Sequence, residues 1–254
     1  MISYIHRLQH YLARRNFSSY VAYLRANGIT IGKNFRIFGN MKYAGIDTTR
    51  PSLVKIGDNV QIVSPFTLLT HGFEWSVFRI KYDEILGSAG KVVIGNNVYI
   101  GRDSCILKGV EIGDNVIIGA KSLVNKDIPS DCVAAGVPAK KILGLDEYFE
   151  KRKIEHIEEA KEYAYSIYEV YQRLPREEDF FEFFPVFLSR DEESIASFNQ
   201  KLESKMKKDK RRPMTLQAQL GQAYEKFMSS QPEFGSFEDF LRASGIPEKK
   251  IKNK

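Results

Sequence analysis

The chain has 254 residues, 43% hydrophobic and 28% charged, with 38 Lys and Arg against 32 Asp and Glu for a formal net charge of +6. This is the composition of a folded globular protein with material for one good core or two modest ones, not of a disordered chain. No run of about 18 apolar residues occurs, so no transmembrane helix is expected, and the opening Met1-Ile2-Ser3-Tyr4-Ile5-His6-Arg7 lacks the apolar stretch of a secretory signal. The expected location is therefore cytoplasmic, with Cys105 and Cys132 reduced and Cys105 a buried wall residue. The charge is uneven: residues 1–144 hold 18 Lys and Arg and 10 Asp and Glu, residues 145–254 hold 20 and 22. A basic surface suits a phosphate-bearing ligand; no nucleic-acid-binding module accompanies it, so nucleic acid is not expected.

Residues 1–28 read as helical, with an amphipathic stretch Ile2–Arg14 and then Ser18–Asn27, where Asn16 or Ser18 can cap the start and Gly28 the end. From Ile29 a six-residue ruler takes over. Ile31 is in step with Ile37, Ile56 with Ile62 and Leu68, and Ile94 with Ile100, Ile106, Ile112, Ile118 and Val124. Six fits neither the 3.6 of an α-helix nor a heptad, whereas a short strand plus a corner supplies it, so the repeat is the hexapeptide of a parallel β-helix. Gly32-Lys33-Asn34-Phe35, Gly57-Asp58-Asn59-Val60, Gly95-Asn96-Asn97-Val98 and Gly113-Asp114-Asn115-Val116 recur at one place on the ruler, where Gly and Asn are expected to take left-handed corner torsions.

The ruler breaks between Leu68 and Ile94, and the segment 72–91 carries Phe73, Trp75, Phe78 and Tyr82 among acids, too aromatic for a slack linker. It reads as an ordered loop leaving the helix, with His71, the one histidine of the repeat region, at its base. The repeat domain is expected to span 29–144, its pairing halted by Pro138. Beyond it, Leu145–Leu174 has helical spacing closed by Pro175, and Phe180–Phe184 and Phe237–Leu241 are aromatic helical patches on either side of the basic run Lys205–Arg212. Residues 145–254 are thus an α-helical appendage whose aromatics are expected in its core.

The stretch Ile94–Ile142, with Gly119-Ala120-Lys121-Ser122, Asn125-Lys126-Asp127-Ile128-Pro129 and Ala135-Gly136-Val137-Pro138-Ala139-Lys140, resembles the left-handed β-helix hexapeptide acyltransferases. Leu69-Thr70-His71 followed by Trp75, Tyr82 and Glu84-Ile85-Leu86-Gly87 is similar, more narrowly, to the O-acetyltransferases of bacterial capsule, O-antigen and exopolysaccharide pathways. The resemblance implies a left-handed coil, a homotrimer, and acetyl-CoA in the groove between two coils, with His71 the general base at the foot of the loop. It implies cofactor contacts at Tyr99, Gly101, Gly119, Ala120, Asn125, Lys126, Lys140 and Lys141. Relatives of this kind often carry Asp after the histidine, where this chain has Gly72, so Glu74, Asp83 and Glu84 are the candidates for orienting the imidazole and, with Trp75, for contacting the acceptor.

An imidazole near neutrality can take the proton of a sugar hydroxyl as that oxygen attacks the thioester, so no covalent enzyme intermediate is needed. The expected acceptor is a sugar nucleotide or a lipid-linked glycan, with peripheral membrane contact open. A small acceptor such as an antibiotic, serine, a free sugar or an amino sugar, and a non-catalytic β-helix scaffold, are the competing readings. A zinc enzyme of the γ-carbonic anhydrase type is built on three histidines and the repeat region has one, so no metal is expected.

Overall fold

The computed structural model describes residues 10–208 and 215–251. The chain forms two compact units, Met1–Phe149 and Glu150–Lys254.

In the first unit short strands, numbered in chain order, fall into three sheets. One holds β1 (Thr30–Ile31), β4 (Val54–Ile56), β7 (Val92–Ile94) and β10 (Glu111–Ile112). A second holds β2 (Arg36–Phe38), β5 (Gln61–Val63), β8 (Val98–Ile100), β11 (Val116–Ile118), β13 (Cys132–Gly136) and β14 (Ala139–Gly144). The third holds β3 (Ala44–Ile46), β6 (Phe66–Leu68), β9 (Ser104–Ile106) and β12 (Leu123–Val124). Up to β12 the chain visits the sheets in rotation, and each strand pairs in parallel with the strand three places on.

The aliphatics of the ruler, joined by Ile46, make three ladders: Ile31, Ile56, Ile94 and Ile112 in the first sheet; Ile37, Ile62, Ile100 and Ile118 in the second; Ile46, Leu68, Ile106 and Val124 in the third. All are buried in one core. Full burial of such a side chain stabilises by about 1.5–3 kcal/mol, which is why the ladder fixes which residues face inward.

The corners divide the work between Asn and Gly, where both were expected to take left-handed torsions. Asn34, Asn59, Asn97 and Asn115 have φ of 54 to 57°, and their side chains bond along the corner, Asn97 Nδ2 donating to Asn115 Oδ1 at 2.9 Å. The glycines serve close approach instead: a Cβ on Gly57 would lie 2.5 Å from the carbonyl oxygen of Gly95 on the next coil.

Helix α1 (Phe17–Ala26) starts at Asn16, whose side chain accepts from the Ser19 amide, and buries Tyr20, Val21 and Leu24 in the ladder's core. The Tyr20 hydroxyl donates to Ala44 O at 3.0 Å and the Arg14 guanidinium to Lys42 O and Ala44 O at 3.1 and 2.8 Å, so the helix covers the first coil as a repeat stack requires. Most of the expected Ile2–Arg14 helix lies outside the described residues. At the other end Pro138 does not halt pairing. The chain turns there, and β14 runs back antiparallel on β13, because the turn places proline outside the ladder.

Helix α2 (Trp75–Lys81) lies in the segment that leaves the sheets, and α3 (Leu145–Tyr171) carries the division between the two units. It ends before Leu174 and Pro175, with Gln172 at φ 51°. The second unit adds α4 (Glu192–Lys208), α5 (Leu216–Leu220), α6 (Tyr224–Met228), α7 (Phe237–Ala243) and α8 (Glu248–Ile251) around a core rich in phenylalanine. The two aromatic patches meet there, Phe180 and Phe240 edge to face at 5.1 Å. Of the basic run, Lys205 pairs with Asp179 and Lys207 with Glu203, and the part from 209 to 212 lies outside the described residues.

Candidate active site

Because Ile46 pairs with Leu68, the residues that leave β3 and β6 lie side by side. Asp47 follows β3, and its amide donates to Leu68 O at 3.0 Å; Leu69-Thr70-His71 follow β6. Asp47 Oδ2 accepts from Thr70 N at 3.1 Å and Thr70 Oγ1 at 2.5 Å, and lies 2.7 Å from His71 Nδ1. Its Oδ1 accepts from Thr49 N at 2.9 Å and Thr49 Oγ1 at 2.7 Å.

The Asp47 side chain is 5% exposed. Burial pushes its carboxyl up, but hydrogen bonds from the side chains and amides of Thr70 and Thr49 outweigh that and hold it well below the usual carboxylate range. Ionised, Asp47 can only accept, so the proton between the two residues sits on Nδ1. The His71 side chain is 28% exposed, enough for a reactant to reach it.

The loop closes directly on this pair. His71 bridges Ala89 in antiparallel fashion and Gly90 N donates to Thr70 O at 2.9 Å. Glu74, expected to orient the imidazole, does not do so. Its carboxylate accepts from Ser88 Oγ at 3.0 Å and from Lys108 Nζ at 3.1 Å, fastening the foot of the loop to the coil above. The Glu74 carboxyl is held low by its own backbone amide, then by Lys108 and Ser88. Asp83 and Glu84 are exposed and take no part in orienting the ring; Asp83, at φ 57°, terminates the turn after α2. Trp75 opens α2, its ring 4.5 Å from Phe73 and under the Arg79 guanidinium at 5.4 Å.

The expected cofactor residues fall into separate groups. Gly101 follows β8 and Gly119-Ala120 follow β11, on the edge between second and third sheets; a Cβ on Gly101 would lie 2.4 Å from Ala120 N, so only glycine lets these coils stack. Asn125 and Lys126 follow β12, on the edge between third and first sheets that also carries Asp47, His71 and Lys108. At about 4.8 Å per coil, the β12 corner stands about 10 Å from the β6 corner. Tyr99 points outward from the second sheet and lines a cavity of about 260 Å³ with Asn59, Gln61, Asn97 and Leu145. Lys140 and Lys141 are exposed on β14, opposite Ala135 and Ala134. Between the two edges lies the outer face of the third sheet, formed by Gly45, Thr67, Cys105 and Leu123. Cys105 is therefore not a buried wall residue but half-exposed on that face, because it is the middle residue of an in-out-in strand; burial pushes its thiol up, which disfavours a thiolate nucleophile.

A family profile described as "Bacterial transferase hexapeptide (six repeats)" matches residues 91–126. Protein CapG of Staphylococcus aureus is 37% identical over 165 residues, which cover 63% of this chain and 90% of that protein. The chain belongs to the hexapeptide-repeat acyltransferase family. The galactoside O-acetyltransferase of Escherichia coli (strain K12) is 39% identical over 134 residues, 51% of this chain and 63% of that one. A solved galactoside acetyltransferase in complex with coenzyme A aligns over 57% of this chain and 80% of its own at 25% identity, with a TM-score of 0.40.

For a hexapeptide-repeat acyltransferase the informative residues that no sequence pattern singled out are Asp47 and Thr49, while Thr70, part of the Leu69-Thr70-His71 phrase, gains a role only as a donor to Asp47. Asp47 is the first acid of the chain, directly after a ladder aliphatic. That was the available signal, but the irregular spacing around β3 hides which coil position it occupies. Among the described residues no group of three or more His, Cys, Asp or Glu is placed to hold a metal ion.

Proposed function

We propose that this chain transfers an acetyl group from acetyl-CoA to a sugar hydroxyl of a surface-polysaccharide precursor, with His71 as general base. The observation that carries the reading is the 2.7 Å contact of His71 Nδ1 with an ionised Asp47. With Nδ1 protonated, Nε2 takes the hydroxyl proton as the acceptor oxygen attacks the thioester carbonyl. Asp47 stabilises the imidazolium, the C–S bond breaks as the tetrahedral species collapses, and the proton passes to the departing sulfur. The relative named galactoside O-acetyltransferase supports a sugar hydroxyl as acceptor.

In this reading the three sheets wind as a left-handed coil and three copies associate. The pantetheine arm runs past the small residues Gly101, Gly119 and Ala120, while Asn125, Lys126, Lys140 and Lys141 meet polar and phosphate groups and Tyr99 flanks them. These residues occupy different faces of one chain, as a groove walled by two copies requires. Glu74, Trp75, Asp83 and Glu84 belong to the loop over the acceptor. No helix among the described residues is long and apolar enough to cross a membrane; we place the reaction in the cytoplasm, where the acyl donor is held.

The test is free-thiol release from acetyl-CoA with a panel of nucleotide sugars. His71→Ala should keep acetyl-CoA affinity and lose about 10²–10⁴-fold in turnover, the range for a general base. Wild-type turnover in that variant overturns the assignment.

A further inference from the structure

The first 46 residues carry seven Lys and Arg and no Asp or Glu, where the chain's overall 32 acids in 254 residues would put about six. Part of this segment meets at one end of the first unit. His10, Tyr11, Arg14, Arg15 and Lys42 line a cavity of about 280 Å³. Tyr11 is 61% exposed, Leu12 39% and the neighbouring Tyr43 60%. Arg14 is committed to the backbone of Lys42 and Ala44, while among the described residues neither Arg15 nor Lys42 is paired with a carboxylate. Two buried nitrogens of the lining residues, His10 Nε2 and Arg14 Nε, have no hydrogen-bond partner among the described residues. Burial, and then Arg14, hold the His10 ring below its ordinary value.

We infer that this face docks on an anionic lipid bilayer. Unpaired cations meet headgroup phosphates, and the rings of Tyr11 and Tyr43 with Leu12 enter the interfacial layer, where an amphipathic ring is favoured over water. A soluble polyanion would satisfy the charges but leave those apolar groups in water, and the apolar groups alone would not select anionic lipid. The combination favours the membrane surface.

The position gives the docking a use, and only this part rests on the O-acetyltransferase reading. Lys42 and Tyr43 lead into β3, and Asp47 leaves its other end. At about 3.3 Å per residue, Tyr43 is about 13 Å along the strand from the residue that holds His71. A chain docked through this face presents its candidate base within a few sugar units of the headgroups, so the acceptor class it implies is a glycan carried on a lipid phosphate.

The experiment is co-sedimentation of the full chain with vesicles of phosphatidylcholine alone, and of phosphatidylcholine with about one-third phosphatidylglycerol, at about 0.1 M and about 0.5 M salt. Binding only to the anionic vesicles, weakened at high salt, is expected. Arg15→Gln/Lys42→Gln should lower the partition coefficient about 25-fold, about fivefold for each cation removed. Tyr11→Ser should weaken binding without changing its salt dependence, and serves where the double variant folds poorly. Lys151→Gln/Lys207→Gln, an equal loss of charge on exposed helix positions of the second unit, should bind as wild type. The inference is overturned by equal binding to both vesicles, by wild-type binding in the Arg15/Lys42 variant, by an equal loss in the control, or by a soluble polyphosphate that holds the protein as tightly as the vesicles do. Vesicle binding is read without acetyl transfer, so failure of the enzymatic reading and failure of the docking are separable.

Discussion

Asp47 Oδ2 stands 2.7 Å from His71 Nδ1, although 24 residues separate the two in the chain. The contact exists because β3 and β6 are neighbouring rungs of one sheet, and the Thr49 and Thr70 donors around the carboxylate keep it ionised and aimed.

Asp47→Asn should be a catalytic lesion more than a binding one. The amide preserves the shape but can no longer stabilise an imidazolium, and it permits the wrong tautomer of His71. Turnover should fall about 10²–10⁴-fold with KM for acetyl-CoA nearly unchanged. Unchanged turnover would show that the pair is a structural hydrogen bond only.

Acid should act on stability through the same carboxylate. Its folded-state pKa is depressed, so the stabilisation it contributes is fully present above the unfolded value of about 3.9 and is lost as pH falls toward the folded value. The stability gap between wild type and Asp47→Asn should therefore shrink as pH falls below about 4. Urea melts below about pH 5 read it; a gap that widens below about pH 4 contradicts the sign.

Lys126→Ala should raise KM for acetyl-CoA and leave the chemical step alone, since a phosphate contact acts equally in ground and transition states. A fall in kcat with KM constant would give Lys126 another role.

Gly101→Ala should be costly and Gly144→Ala should not. The added Cβ at 101 would meet Ala120 N at 2.4 Å, whereas at 144 nothing lies within 4 Å. Overpacking of this kind costs about 1–3 kcal/mol, so calorimetry should show the melting temperature of Gly101→Ala lowered by several degrees and that of Gly144→Ala close to wild type.

A chain ending at Phe149 should fold and bind acetyl-CoA, because the ladder core and the phenylalanine core share no buried residue. An insoluble product in expression and circular dichroism trials would show that the second unit is required for the first to fold.

The six-residue spacing of aliphatics determined which residues of the strands it runs through face inward, because hydrophobic burial acts on each repeat alike. The spacing also marked His71 as the histidine where the chain leaves the repeat. The partner of that histidine was a tertiary decision. Regular coils here take eighteen residues, as from Ile106 to Val124, but Ile46 and Leu68 are twenty-two apart, so spacing alone never aligned Asp47 with Thr70 and His71. Alignment between coils is set by backbone hydrogen bonds across the sheet, not by distance along the chain. For the same reason Glu74, close to His71 in sequence, ends up bonded to Ser88 and Lys108, while Asp47, remote in sequence and nearly buried, becomes the residue that holds the base.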